Sequence, residues 1–150
     1  MLSGKLIRLI ENHEEEIAAG FVRSIRLDPE LSHLGRLPEI DLRERCREII
    51  KDLGNWLLHG HEEQLAREYE RVGRTRCAES VPLDECVRGL CLIKDEMIAF
   101  LDRQGIDPDY LELYAEGQLV RRAGAFFDLL IVHLVRGYEA AQHRSVHAAA

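Results

Sequence analysis

The chain has 150 residues, of which 46% are hydrophobic and 31% charged, a balance typical of one folded globular domain with a single core. Acidic residues outnumber Lys and Arg by 27 to 20, and the formal net charge of −7 argues against nucleic-acid binding, which needs a basic surface. Glu11 and Glu14 interrupt any secretory signal, and no apolar run is long enough to span a membrane. Four cysteines in a chain without a secretory signal are expected to be reduced thiols in a cytoplasm. The sequence therefore predicts a cytoplasmic protein without membrane contact.

Apolar residues recur at helical spacing in the first sixty residues and predict two helices separated by a loop. The first helix is expected at about residues 4–27, ended by the Asp-Pro pair at 28–29. Residues 28–40 contain two prolines and a glycine and predict a loop. Asp41 is expected to cap the second helix and Gly60 to end it. The predicted apolar faces consist of Leu6, Leu9, Ile10, Ile17 and Phe21 in the first helix, and of Leu42, Cys46, Ile49, Ile50, Leu53, Trp56 and Leu57 in the second.

Three further helices are predicted in the rest of the chain. The third, at about 61–79, has a thin apolar face of Leu65, Tyr69, Val72 and Arg76. Ser80 is expected to cap the fourth helix, with Pro82 in its first turn, and this helix should end near Gln104. Gly105 and the Asp-Pro pair at 107–108 are expected to separate it from a last helix over about 109–140. Residues 141–150 are expected to be a frayed tail.

The last predicted helix differs from the others because residues 123–135 are apolar on nearly every side. Such a helix must be covered on more than one side, either as the central helix of a bundle or by pairing with a second subunit. The sequence leaves both arrangements open. The whole pattern predicts one all-α domain over residues 1–150, an antiparallel bundle of four to five helices with a long apolar C-terminal helix.

Three of the four cysteines fall in the segment RTRCAESVPLDECVRGLCLIKDEM, residues 74–97. Their C-x8-C-x4-C spacing matches no zinc framework, and Cys86 and Cys91 lie on opposite margins of one helix, about 140° apart. We therefore predict no metal site and interpret these cysteines as small buried apolar residues. The alternative is a thiol redox role, for which Cys77 is the candidate.

Two histidines, His13 and His133, fall on apolar helix faces, whereas His59 and His61 in the segment HGHEE suit a solvated turn. A single inward histidine is more often a core or interface residue than a ligand. The sequence therefore predicts no cofactor. Haem is the alternative, with His133 as the first candidate ligand and His13 as the second.

Three charged residues, Arg76, Lys94 and Asp128, interrupt apolar helix faces. Because an unpaired buried charge is costly, each should pair, bind a ligand or reach solvent. One hypothesis is an internal pocket in which Arg76 and Lys94 hold a small anionic ligand. The other, which the sequence favours, is a structural pair of Arg76 or Lys94 with Asp128 or a glutamate. Since the chain contains no phosphate loop, nucleophile elbow or HExxH motif, we predict no enzymatic activity.

The segment R-T-R-C-A-E-S-V-P-L-D-E-C-V, residues 74–87, resembles a junction in the N-terminal domain of RsbT co-antagonist (RsbRD-type) proteins and related bacterial signalling input domains. The opening helix from Leu6 to Phe21 and the Leu/Trp cluster from Leu53 to Leu58 are similar to the same family. In that family a glycine is expected where Ser80 stands in this chain.

The resemblance implies a sensory or regulatory helical domain without enzymatic activity. It also implies a homodimer, for which the helix over residues 117–138 is the expected interface, and a signalling protein partner or a tethered output domain. Since such domains usually precede a STAS, kinase or cyclase output, the chain is expected to be either an excised domain or a free-standing version. A regulatory input domain is thus the leading hypothesis, and a bundle that binds a small ligand, binds haem or undergoes thiol redox chemistry is the alternative.

Overall fold

The structure, a computed structural model, describes residues 2–104 and 110–149, and the surroundings of side chains at 4–104 and 117–147. Within these ranges the chain forms helices and turns and no β-strand, which confirms the predicted all-α class. The break predicted at Gly105 and the following Asp-Pro pair lies outside the described residues. The helices are α1 (Leu2–Asn12), α2 (Glu14–Leu27), α3 (Glu39–His59), α4 (Glu62–Ala78), α5 (Leu83–Arg103) and α6 (Tyr110–Ala149).

The first predicted helix is divided into α1 and α2 at His13, so the expectation of one uninterrupted helix was wrong. The His13 N–H donates to the Ile10 carbonyl at 3.1 Å. This bond spans three residues instead of the four of an α-helix, and it therefore tightens the turn. The His13 ring also lies 2.9 Å from the Leu9 carbonyl oxygen through Nδ1. The histidine therefore holds a junction between two helices.

The predicted loop at 28–40 contains two short 3-10 turns, at Pro29–Leu31 and Leu34–Arg36. Helix α3 then begins at Glu39, before the predicted cap at Asp41, whose N–H donates to the Pro38 carbonyl at 3.0 Å. The end of α3 is as predicted. Gly60 has a left-handed φ of 66° and donates its N–H to the Trp56 carbonyl at 2.8 Å.

Ser80 does not cap α5, contrary to the prediction, but belongs to the end of α4. Its φ is 60°, and its N–H donates to the Cys77 carbonyl at 3.0 Å, while the Val81 N–H donates to the Arg76 carbonyl at 3.1 Å. These two bonds form the Schellman pattern that ends many helices, with serine at the position that usually holds glycine. Helix α5 begins after Pro82.

Helix α6 continues through Ala149, so residues 141–149, expected to be a frayed tail, are helical. The segment is rich in alanine, which has the highest helix propensity. The Arg144 side chain also donates through Nε to the Ala140 carbonyl at 3.4 Å. The described side chains from Gln142 to His147 are exposed.

Successive helices from α2 to α4 pack antiparallel. Arg26 near the end of α2 contacts Glu39 at the start of α3 at 3.6 Å, and Glu15 near the start of α2 contacts Arg47 further along α3 at 2.8 Å. Helix α6 lies parallel to α4, since its early residue Arg122 contacts the end of α3 and its later residue Tyr138 contacts Val81.

Helix α6 packs against α1, α3, α4 and α5, as a central helix does. The residues that it contributes to the buried core are Leu119, Ala123, Phe126, Phe127, Leu130, Leu134 and Tyr138. None of the helices in the described ranges combines the length and apolar character needed to cross a membrane.

Candidate functional site

The four residues predicted to bind a ligand lie in separate surroundings. Arg76, at the end of α4, is 12% exposed and pairs with Glu79 through Nη1 and Oε2 at 2.9 Å. This pair with a glutamate is one of the two arrangements that the sequence left open. Lys94 is half-buried on α5 beside a small apolar cavity, and Arg76 lines a different cleft and a different cavity. The structure therefore does not bring the two cations to one pocket.

The two histidines on apolar faces have local partners. The His13 ring packs on the Phe100 ring, with 5.0 Å between centroids, in addition to its contact with Leu9. His133 on α6 lies 3.2 Å from Glu70 of α4, measured from Nδ1 to Oε2. Each histidine thus joins two elements of the bundle.

Asp128 is exposed, so it reaches solvent, which is one of the three outcomes expected for a charge on an apolar helix face. The inward face of α6 is set by Phe126, Phe127, Leu130 and Leu134. Asp128 is two residues from both Phe126 and Leu130, about 200° around the helix, and therefore points away from the core. It forms no pair with Arg76, whose partner is Glu79.

All four cysteines are free thiols, with Cys46 and Cys86 buried and Cys77 and Cys91 half-buried. Burial raises the pKa of Cys46 and of Cys86 to about 12, which keeps both as thiols at neutral pH. Cys77, the candidate for redox chemistry, lies in the last turn of α4 with part of its surface accessible.

A group of carboxylates lies between α3 and α4. Oxygen atoms of Glu48, Asp52 and Glu68 lie within 4.8 Å of one another. The Tyr69 hydroxyl donates to Asp52 at 3.1 Å, and Arg45 lies 3.6 Å from Glu68. Desolvation is the largest cause that raises the pKa of both Asp52 and Glu68, the latter to about 7, and their proximity adds to the rise for Glu68. Protonation and the Arg45 charge thus reduce the repulsion within the group.

Next to these carboxylates, a cleft of about 230 Å³ lies between the first half of α3 and the second half of α4. Arg45 and Arg76, whose side chains are 27% and 12% exposed, are among the residues that line it. Arg45 also lies over the Tyr69 ring, 5.9 Å from the centroid. Nη1 of Arg45 is fully buried and has no hydrogen-bond partner.

The sequence analysis did not select Arg45 because it stands among alternating charges in DLRERCREII. A signal was present, since Arg45 is three residues after Leu42 and four before Ile49, both buried on the same helix face. Only the packing of α4 against α3, however, could bring Arg45 beside Arg76.

Helix α6 also presents an exposed face to solvent. Arg121, Ala125, Asp128, Val132 and Arg136 follow one another at steps of three or four residues and are all exposed. The face combines small apolar side chains with charges of both signs.

No curated protein and no solved structure matches this chain. A family model does match, over residues 15–150, and its description is the RsbT co-antagonist protein RsbRD N-terminal domain. The match includes α2 to α6 and the junction around Ser80 from which the resemblance was first inferred. The chain therefore belongs to the family of RsbRD N-terminal domains, regulatory domains of bacterial stress signalling.

Proposed function

We propose that the chain is a non-enzymatic input domain that acts by protein–protein association, as a homodimer formed through residues 117–138 of α6. In this proposal the dimer relays a signal to a signalling protein partner or to a tethered output domain. Membership in the RsbRD N-terminal family supports the regulatory role. The exposed face of α6 supports the association, and it is the observation that carries the proposal.

The charges on this face suit an antiparallel pairing of two copies. Asp128 and Arg136 stand four residues before and four residues after Val132. If a two-fold axis passes through Val132, each Asp128 faces Arg136 of the other copy, and the two valines meet at the centre. A two-fold interface requires such self-complementarity.

A parallel pairing would have the opposite effect. Each charged residue would then face the same residue in the other copy, and like charges repel at an interface. The order of charges along the helix therefore favours the antiparallel crossing. The exposed methyl groups of Val132, 44% exposed, would be removed from water at its centre.

Light scattering on the full chain at micromolar concentration tests the proposal, with Asp128→Arg, Arg136→Asp and the double variant measured beside the wild type. We expect a dimer for the wild type, weaker association for each single variant, and recovery in the double variant, because it restores opposite charges in exchanged positions. Arg74→Asp, at an exposed site on α4, is the matched control and should leave the dimer unchanged. A monomeric wild type, or a double variant no better than the single ones, would contradict the proposal.

A further inference from the structure

Two histidines lie on adjacent turns of one helix face near the end of α6. His143 and His147 are four residues apart, a spacing that places two side chains of a helix above one another, with about 5–6 Å between their Cβ atoms. Both side chains are exposed. The sequence analysis did not select them, because a frayed tail would leave the two rings unrelated. The continuation of α6 through Ala149 brings them together.

The rings of His143 and His147 have the separation expected for two ligands of one metal ion. Their centroids are 5.3 Å apart. When a tetrahedral ion holds two imidazoles at bond lengths of about 2.0–2.1 Å, the ring centroids are roughly 5 Å apart. The rings stand edge to face, at 87°, and the torsion about the Cβ–Cγ bond of histidine has broad minima. A rotation of these exposed rings therefore directs one nitrogen of each to the same point.

The charged residues near the pair are of both signs. Glu139 is exposed and lies four residues before His143, on the same helix face. Arg144 follows His143 in the sequence, but it donates Nε to the Ala140 carbonyl at 3.4 Å, so its side chain is directed along the preceding turn. The whole chain has a formal net charge of −7. The charge around the pair is therefore compatible with a bound cation.

We propose that His143 and His147 form a binding site for a divalent transition-metal ion of the group Zn²⁺, Ni²⁺ and Cu²⁺. Imidazole suits these ions, whereas Mg²⁺ and Ca²⁺ prefer oxygen ligands. Two histidines four residues apart on one helix face are also the pair that an HExxH motif presents to zinc. Because the chain supplies two ligands, the ion keeps further positions for water or for a group of a partner protein. The chelate also restrains the last turns of α6.

This site needs one copy of the chain only. In the antiparallel dimer centred on Val132, the histidine pairs of the two copies lie at opposite ends of the crossing. At 1.5 Å per residue, the two copies of His143 are roughly 33 Å apart along the helices. One ion cannot bridge them, so metal binding and dimer formation are measured, and fail, separately.

Titration calorimetry of the full chain with nickel chloride tests the inference, in a buffer that does not coordinate metals. Ni²⁺ is the probe because imidazole suits it and thiols compete less for it than for Zn²⁺. We expect one saturable Ni²⁺ site per chain and no comparable binding of Mg²⁺. The absence of saturable Ni²⁺ binding, or Mg²⁺ binding of equal strength, would overturn the proposal.

Variants on α6 then assign the site. His143→Gln and His147→Gln should each weaken Ni²⁺ binding by about tenfold or more, since the loss of even an outer partner of a metal ligand has that effect. All the substituted positions are exposed, so the variants should fold normally. The double variant Ser145→His, His147→Ser keeps the number of histidines but moves one imidazole to another face of the helix, and it should bind as weakly as the single variants. Wild-type affinity in this double variant would contradict the proposed chelate.

The histidines of the turn between α3 and α4 provide a matched control. His59 and His61 flank Gly60, and their ring centroids are 5.6 Å apart, but they do not share one helix face. The His59→Gln, His61→Gln double variant should leave Ni²⁺ affinity unchanged. A tenfold loss of affinity in this variant would place the ion in the turn and overturn the assignment to α6.

Amide hydrogen exchange followed by mass spectrometry measures whether the ion restrains the helix. Ni²⁺ should slow exchange in the peptide that contains residues 143–147, because a chelate across one turn opposes local opening. The same peptide of the Ser145→His, His147→Ser variant should exchange at the same rate with and without Ni²⁺. Saturable binding to the wild type without slower exchange in this peptide would contradict the proposal.

Discussion

Gly73 of α4 and Gly137 of α6 lie where the backbones of these two helices touch. A Cβ atom on Gly73 would lie 2.8 Å from the Tyr138 nitrogen, and one on Gly137 would lie 2.7 Å from the Glu70 Cα. Both distances are shorter than real side chains allow, and the atoms they meet belong to the backbone, which cannot rotate away. The close crossing also brings Glu70 within 3.2 Å of His133.

Alanine at either glycine should therefore force the helices apart. We expect Gly73→Ala and Gly137→Ala to lower the free energy of unfolding by about 2–3 kcal/mol each, as overpacking does. Urea unfolding followed by circular dichroism measures the change. Gly117→Ala on α6 is the control, because no atom lies within 4 Å of the added methyl group, and it should raise stability by up to about 1 kcal/mol. A loss of stability in Gly117→Ala equal to that of the other two would refute this explanation.

At Ser80 the situation is reversed, because the backbone conformation favours glycine but the chain has serine there. With a φ of 60°, its Cβ crowds the backbone, a cost that glycine avoids. Ser80→Gly should raise the free energy of unfolding by about 1 kcal/mol. Thermal unfolding of Ser80→Gly beside Ser80→Ala separates this cause from the loss of the hydroxyl, since only glycine relieves the crowding. Equal melting temperatures for the two variants would argue against it.

Apolar spacing was sufficient to predict the helices, because each buries one side along its length. Leu6, Ile17, Ile49 and Leu53 were all expected to be buried, and all are. The resemblance also indicated a glycine position at Ser80, although the residue type had predicted an N-cap of the fourth helix at the same place. The preference of serine for helix N-caps suggested the cap. In the structure, the backbone hydrogen bonds that end α4 include Ser80 instead.

Contacts between distant residues could not be predicted in the same way. Glu85 stands in the first turn of α5, where an acidic residue commonly faces solvent and the helix dipole stabilises it. It is instead 3% exposed, because the 3-10 turns over 29–36 fold against α5 and cover it. Arg45 was missed for the same reason, since its burial depends on the packing of a second helix.

Glu85 holds the loop between α2 and α3 through its buried carboxylate. It accepts hydrogen bonds from the backbone N–H groups of His33 and Leu34 at 3.0 and 3.1 Å, and contacts the His33 ring at 2.7 Å. Glu85→Gln removes the charge from these bonds and should cost about 1–3 kcal/mol. Denaturant unfolding tests this, with Asp84→Asn, at the exposed neighbouring position, as the control. A Glu85→Gln variant as stable as Asp84→Asn would contradict the assigned role.

The accessibility of the thiols can be compared directly. We expect iodoacetamide at pH 8 to modify Cys77 and Cys91 faster than Cys46 and Cys86, because burial hinders access to the last two and raises their pKa to about 12. Mass spectrometry of peptides after timed quenching gives the four rates. In denaturant the four rates should converge. Modification of Cys86 as fast as that of Cys77 in the folded chain would mean that α5 does not bury this thiol.

Glu68 should make stability depend on pH. Its pKa is raised from 4.5 to about 7, so between these values the folded chain keeps a proton that the unfolded chain loses. The contribution of Glu68 to the free energy of unfolding is therefore fully present below pH 4.5, and it is lost as the pH rises through about 7. Glu68→Gln stays neutral, so relative to the wild type it should gain on the order of 1 kcal/mol at pH 8 compared with pH 4.5, a value reduced by solvent screening.

Urea unfolding of wild type and Glu68→Gln at pH 4.5 and pH 8 measures this difference. The absolute stabilities include the loss of the Arg45 contact, but that loss contributes chiefly when Glu68 is ionised and so opposes the expected gain. Glu63→Gln, an exposed glutamate on the same helix, is the control and should show no comparable gain between the two conditions. If Glu68→Gln changes stability equally at both pH values, the proton on Glu68 does not relieve repulsion between α3 and α4.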